Sequence, residues 1–294
     1  MATVMNVVPT RSTAIGIGHI LDKANIRRWA IGALVLLVAA GIFLVPLLWV
    51  LATSVKPTIQ ITSYPPTLFP SSLTIDHYIK MWNAVDFPRL LKNTVVFAGG
   101  VTALSLIFNS MAAYALARMD FPGRGVIFGV ILATLMIPTQ ITLVPVFNLV
   151  ASMGILNTYP GLILPRATDA FGIFLLRNFF LSIPRELEDA ARVDGASELS
   201  VFARVILPLS KPAILTLALF CFMANWNDLL WPLVMSPNGD LSTLPSGLAS
   251  FVGSHVRDYG PLMAGSVLAM LPMLVAFLFV QRSFVQSIAS TGLK

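Results

Sequence analysis

The sequence predicts an all-α, polytopic membrane protein with six spans. Of its 294 residues, 56% are hydrophobic and only 11% charged, where a soluble domain of this length carries roughly a quarter charged residues. The apolar residues also fall in long runs. Residues 29–55 and 125–165 hold no charge, and a helix needs roughly 20 apolar residues to cross the bilayer core. Residues 184–212 form the opposite kind of segment, a charged, amphipathic island that cannot lie in hydrocarbon. It must project into water between two spans.

The spans are read at residues 29–53, 93–117, 125–147, 160–180, 213–235 and 261–281. The first run is too long for the apolar part of a signal peptide and lacks a small-residue cleavage site, so it is read as a retained span. The charge-free stretch 125–165 is long enough to demand division. Ser152-Met153-Gly154 and Asn157-Thr158-Tyr159-Pro160 supply the turn chemistry for it. Pro46, Pro138, Pro145 and Pro272 predict bent helices, which a rearranging or cavity-lining bundle tolerates. Three segments follow: a cytoplasmic tail at 1–28, a membrane domain at 29–281 that contains the island, and a cytoplasmic tail at 282–294. Residues 14–24 are either a short amphipathic helix on the inner surface or part of a flexible tail.

Basic residues orient the bundle. Arg11, Lys23, Arg27, Arg28, Arg118, Arg124, Arg185, Arg192, Arg204, Lys211, Arg282 and Lys294 fall on one side of six spans. Lys56, Lys80, Arg89, Lys92 and Arg257 fall on the other. Twelve against five puts both termini in the cytoplasm. The net charge of +6 therefore reflects membrane topology and not nucleic-acid binding. The one cysteine, Cys221, excludes an intrachain disulfide, and the dispersed His19, His77 and His255 show no metal-ligand spacing.

The island reads as two short helices. Pro184 opens the first, with Glu186, Glu188 and Asp189 in the turn where carboxylates suit the helix dipole. Leu187, Ala190 and Ala191 share a face. Gly195 supplies the permissive backbone of a sharp turn. Ser197 caps the second helix, where Leu199, Phe202, Ala203 and Ile206 share a face. Pro208 and Pro212 end the element. Amphipathicity alone suits either a linker on the headgroups or docking into a protein groove. The small face, the glycine corner and an exposed Phe202 favour docking.

The pattern Asp189-Ala190-Ala191, Gly195, then Val205-Ile206-Leu207-Pro208 resembles the EAA loop of ATP-binding-cassette (ABC) importer permeases. Asp189 replaces the leading Glu, which Glu188 precedes, and Val205 replaces an Ile. The segment 113–123, the run Asn225-Trp226-Asn227-Asp228-Leu229-Leu230-Trp231-Pro232-Leu233 and the tail around Gln281-Arg282-Ser283-Phe284 are similar to the carbohydrate, maltose-type subfamily, in particular its second, six-span permease. The likeness covers nearly all of the chain beyond residue 28.

The resemblance implies a type I importer permease fold in a bacterial or archaeal cytoplasmic membrane. Its partners would be a second homologous permease, two ATPase subunits and an extracytoplasmic solute-binding protein, with surrounding lipid. The chain has no phosphate-binding loop, so it cannot itself be the ATPase; the resemblance implies a non-enzymatic membrane subunit that binds no cofactor. ATP and Mg would sit on the partner ATPase. The ATPase-coupling residues would be Glu188, Asp189, Ala190, Ala191, Asp194, Gly195, Phe202, Leu207 and Pro208, with Phe202 an apolar anchor. Asn225, Asn227, Asp228 and Trp231 are candidates for the solute path, because polar groups at membrane depth usually face a cavity or a partner. Arg166 and Asp169, three apart, are expected to pair with each other. Residues 236–260 are either a plain connector or, by resemblance, a loop that reaches into the binding protein. The cargo would be a sugar or oligosaccharide, with a glycerol-phosphodiester or polyol as the alternative solute. A secondary transporter is the remote rival, but no internal repeat supports it.

Overall fold

A computed structural model describes residues 23–252 and 258–291. Most of the N-terminal tail, including nearly all of 14–24, and the last three residues lie outside the described residues. The described chain is helical without a strand. It divides into two compact units at Val50/Leu51.

The first unit holds most of α1 (Lys23–Ser54), a 32-residue helix. Its stretch Arg28–Ser54 is long and apolar enough to cross a membrane, as the uncharged run predicts.

The second unit begins with α2 (Thr58–Ile61) and α3 (Asp76–Ala84), which fall where the sequence suggests only an outer loop. Buried His77 and Met81 hold α3 down. The His77 ring bonds the Lys56 carbonyl at 2.7 Å, and Gly260 packs so close that a Cβ there would lie 2.2 Å from the imidazole.

The second span is α4 (Phe87–Arg118), six residues longer at its start than expected. The Asp86 side chain caps it by accepting from the Arg89 amide, and a proline sits in its first turn. Its faces pack most extensively on α8 (Ala170–Ser182) and α12 (Lys211–Trp226).

The third span is broken. α5 (Arg124–Thr134) and α6 (Thr139–Ser152) meet at 101°, with Pro138 as the residue before α6. Proline clashes with a preceding helical turn, so the chain leaves the helix there. The expected turn follows: Gly154 and Asn157 both take positive φ, and the Thr158 side chain caps α7 (Tyr159–Ile163) by accepting from the Gly161 amide at 3.2 Å.

The fourth span is also broken, into α7, the 3₁₀ turn Leu164–Arg166 and α8. The fifth consists of α12, an interruption at 227–229, and α13 (Leu230–Met235). α15 (Tyr259–Thr291), with Pro272 inside it, is the last.

Among the described residues, three helices are individually long and apolar enough to span, and five when each bent pair counts as one. The fourth expected span is the short one, because α8 has only 13 residues.

A buried polar seam joins α4 to α8. Asn109, fully buried, donates to Asp169 Oδ2 at 2.8 Å and accepts from the Asp169 amide at 3.1 Å. Ser105 adds a bond to the same carboxylate at 3.1 Å. Asp169 Oδ1 in turn caps α8 through the Gly172 amide at 2.7 Å. Residue 172 must be glycine for this seam to close: a Cβ there would lie 2.2 Å from the Asn109 amide nitrogen. The expected Arg166–Asp169 pair therefore does not form. The two residues sit on different elements, and Asp169 is committed as a helix cap.

Candidate functional site

The charged island folds largely as its residues dictate. α9 (Glu186–Val193) carries Glu186, Glu188 and Asp189 in its first turn. Gly195 takes φ +83, a left-handed conformation that costs other residues. Ser197 caps α10 (Glu198–Val201) by accepting from the Ser200 amide. A π turn at Phe202–Ile206 and α11 (Leu207–Leu209) follow, and the chain bends by 79° into α12.

The π turn changes which residues share a face. Phe202 and Ile206 are buried, 8% and 0% exposed, whereas Leu199 is 70% exposed. Phe202 is therefore not an exposed anchor for a partner. Its ring lies 5.0 Å from that of Tyr114, within a cluster that includes Leu176, Phe180 and Leu217. It fastens the loop to its own membrane bundle. The wider helical turn moves the second helix's apolar stripe onto α4, which periodicity of 3.6 does not anticipate.

Charges complete the fastening. Glu188, 1% exposed, faces inward and meets Arg118 at 2.9 Å. The Arg118 guanidinium also donates to the carbonyls of Phe180 and, at 2.6 Å, Ile183. One residue at the end of α4 thus ties the carbonyls at the end of α8 to α9. Arg192 then holds Glu188 at 3.2 Å, Asp189 at 3.0 Å and Glu198 at 2.8 Å. The Tyr114 hydroxyl closes the circuit by donating to Glu198 at 2.8 Å. Hydrogen bonds from Arg192 and Tyr114 hold the Glu198 carboxyl below the usual carboxylate range. The Glu198 bond raises the Arg192 guanidinium further above its already high value.

The opposite side of the loop is open. Leu187, Val193 and Leu199 are 46%, 87% and 70% exposed, and Asp189, Ala190, Asp194, Gly195 and Pro208 are exposed beside them. Ala191 and Leu207 are half-buried. Apart from Gly195 itself and its two chain neighbours, no described atom lies within 4 Å of where a Gly195 Cβ would sit.

The solute-path candidates separate on inspection. Asn225 is buried and donates to the Cys221 carbonyl at 2.7 Å, and Asn227, though exposed, donates to its own helix at Met223. Asp228 pairs with Arg166 and accepts from the Trp231 amide at 3.0 Å. Trp231 is 8% exposed. Its indole donates to the Leu162 carbonyl at 2.9 Å, and the Arg166 guanidinium covers its ring at 5.3 Å. Stacking of Trp231 on a solute is thus blocked by a side chain already in place. Asp228 and Trp231 do line a cleft of about 190 Å³, together with Thr139, Gln140, Thr142 and Arg166. The α6 residues escaped the sequence reading because Thr and Gln in an apolar run carry no periodic signal. Of residues 236–260, the first part is docked: Asn93 donates to the carbonyls of Asp240 and Ser242 at 3.1 and 3.0 Å. Leu244 and Leu248 of α14 (Leu244–Leu248) are buried. Residues 253–257 lie outside the described residues.

A helical bundle with interrupted spans, a cleft at the interruptions that holds a charged pair, and an ordered charged loop outside it has the architecture of a transporter membrane subunit. The chain belongs to the family of binding-protein-dependent transport system inner membrane components, whose sequence model matches residues 105–290. It is 36% identical over 258 residues to the arabinooligosaccharides transport system permease protein AraQ of Halalkalibacterium halodurans, covering 87% of this chain and 92% of that one. It is 30% identical over 264 residues to the sn-glycerol-3-phosphate transport system permease protein UgpE of Escherichia coli, covering 87% and 94%. Among solved structures, a bacterial ABC transporter involved in the import of the acidic polysaccharide alginate has a chain that superposes with a TM-score of 0.77. The match is at 26% identity over 90% of this chain and 98% of that one. The protein is thus a non-catalytic membrane component of a transporter.

Proposed function

We propose that this chain is one of two permease subunits of an ABC importer that moves an oligosaccharide, released by a solute-binding protein, into the cytoplasm. The single observation that carries the coupling part is the two-sided loop. One side is fastened to α4 and α8 through Arg118, Glu188 and Phe202, and the other exposes Leu187, Val193 and Leu199. Exposed apolar side chains beside Ala190 and Gly195 suit a groove on a partner. The partner is an ATPase subunit, which holds the ATP and Mg. Its closure, delivered to α9, reaches α4 and α8 as a rigid displacement because Arg118 bonds all three. Val193 and Leu199 take the anchoring role that the sequence suggests for Phe202, alongside Asp189, Ala190, Asp194, Gly195 and Pro208. The loop faces the cytoplasm, as do both termini, which accords with the distribution of basic residues.

The oligosaccharide cargo rests on likeness to the arabinooligosaccharide permease, and on a cleft where Thr139, Gln140 and Thr142 offer hydroxyl and amide groups among apolar residues. The glycerol-phosphate relative supports a second reading, an anionic phosphoester cargo. Purification from the native membrane tests the assembly: copurification of a second permease and an ATPase is expected. A stable assembly that contains no ATPase would remove the coupling assignment.

A further inference from the structure

Three consecutive spans are interrupted, and the interruptions meet. α6 contributes Thr139, Gln140 and Thr142 just past the 101° bend; the Leu164–Arg166 turn contributes Arg166; and Asp228 and Trp231 flank the start of α13. Transporters commonly bind solute where discontinuous helices meet. The volume of about 190 Å³ is below the roughly 300–1,000 Å³ of sites that engulf a whole ligand. This cleft suits one unit of a chain at a time.

Its electrostatics are specific. Arg166 and Asp228 are the charged residues among those lining the cleft, and they are paired with each other. Neither is fully sequestered: the side chains are 28% and 19% exposed. Each is held by a second contact, Asp228 by the Trp231 amide and Arg166 by the Trp231 ring. The cation is therefore present in the path but neutralised there.

We propose that the Arg166–Asp228 pair makes this cleft a selectivity point, admitting uncharged, hydroxyl-rich solute units and disfavouring anionic ones. The proposal rests on the importer reading above. Asp228 is the specificity-determining residue, because removing its charge would leave Arg166 as an anion site. Gln140, with its exposed amide, offers hydrogen bonds to a sugar unit.

The test uses the full importer in native membranes, with Gln140→Cys on a Cys221→Ser background. Modification of this chain is followed by mass with an anionic reagent, sulfonatoethyl methanethiosulfonate, and a cationic one, trimethylammonioethyl methanethiosulfonate. Adding Asp228→Asn is expected to raise the anionic-to-cationic rate ratio by about tenfold or more, since an unpaired charge acts strongly across a few ångströms of partly dry protein. Arg166→Gln should lower it, and the double variant should restore it, which excludes simple misfolding. A ratio that stays constant across these variants overturns the proposal, as does an introduced thiol that reacts with neither reagent. Protection of that thiol by neutral arabino-oligosaccharides, shifting toward oligouronates in Asp228→Asn, is the expected solute result. If the rate ratios move as stated but neither carbohydrate protects, the oligosaccharide cargo fails while the electrostatic role of the pair stands.

Discussion

Among the described residues, two arginine–carboxylate pairs join segments far apart in the chain, and they differ in what surrounds them. Arg118 and Glu188 are 3% and 2% exposed, and Arg118 also satisfies two carbonyls of the α8 terminus. Arg166 and Asp228 are partly open to a cleft. Enclosure makes the first pair a rigid joint, since a buried charge that loses its partner cannot recruit water. Access to water makes the second adjustable, because a solute or solvent can replace either partner. On the proposed reading, the same residue types serve force transmission at one end of the bundle and selection within it.

The largest effect is expected from breaking the joint. Arg118→Met leaves buried Glu188 with only the partly exposed Arg192 and removes the donor to the Phe180 and Ile183 carbonyls, so it should cost about 3–5 kcal/mol, read as a large loss of thermal stability in detergent together with loss of uptake. Arg118→Lys should rescue little, because one ammonium cannot reproduce the planar fork that reaches two carbonyls and a carboxylate. Near-normal stability in Arg118→Met would show that the joint does not carry load.

Next is Gly195→Val. Strain at φ +83 and added bulk on the open face should leave the protein in the membrane. Uptake per ATP hydrolysed should fall by about tenfold or more, within the usual range of coupling energies. Normal coupled uptake would remove Gly195 from the docking surface.

The comparison sharpens with Asp228→Asn. The amide still accepts from the Trp231 backbone, and water reaches Arg166, so the stability loss should be about 1 kcal/mol, well below that of Arg118→Met. Equal losses at the two sites would erase the distinction drawn between them.

The smallest effect concerns pH. Glu198 has a lowered folded value, so its contribution is present above the ordinary glutamate range and is lost as pH falls through that lowered value. Glu198→Gln should flatten the acid limb of a stability–pH curve slightly. An unchanged acid limb would show that the Tyr114–Glu198–Arg192 contacts contribute little.

Much of the loop was legible in the residues: acidic groups at the start of α9, the glycine corner and the Ser197 cap all follow from local backbone chemistry. Phe202 was misplaced because a π turn shifts the helical register, and nothing local marks one. The role of Arg118 was also hidden. Its position at a span end is explained by membrane orientation alone, and only its bonds to residues 62 to 70 positions away reveal more. Arg166 and Asp169 looked like a helical pair because the sequence does not announce that the helix breaks between them.

The sequence by itself determined the class of molecule. Hydrocarbon admits only helices and closed barrels, whose backbones are satisfied internally, and apolar runs of roughly 20 residues or more select helices, so composition and run length were sufficient for that. It also determined the helix-turn-helix start of the charged loop, whose Ser197 cap and turn glycine are local requirements. Tertiary structure decided which charges are enclosed and which remain open. It brought Arg118 to Glu188 and Arg166 to Asp228 across helices far apart in the chain. It also gathered three helix interruptions into one cleft. Burial and pairing depend on what packs nearby, and no single segment carries that information.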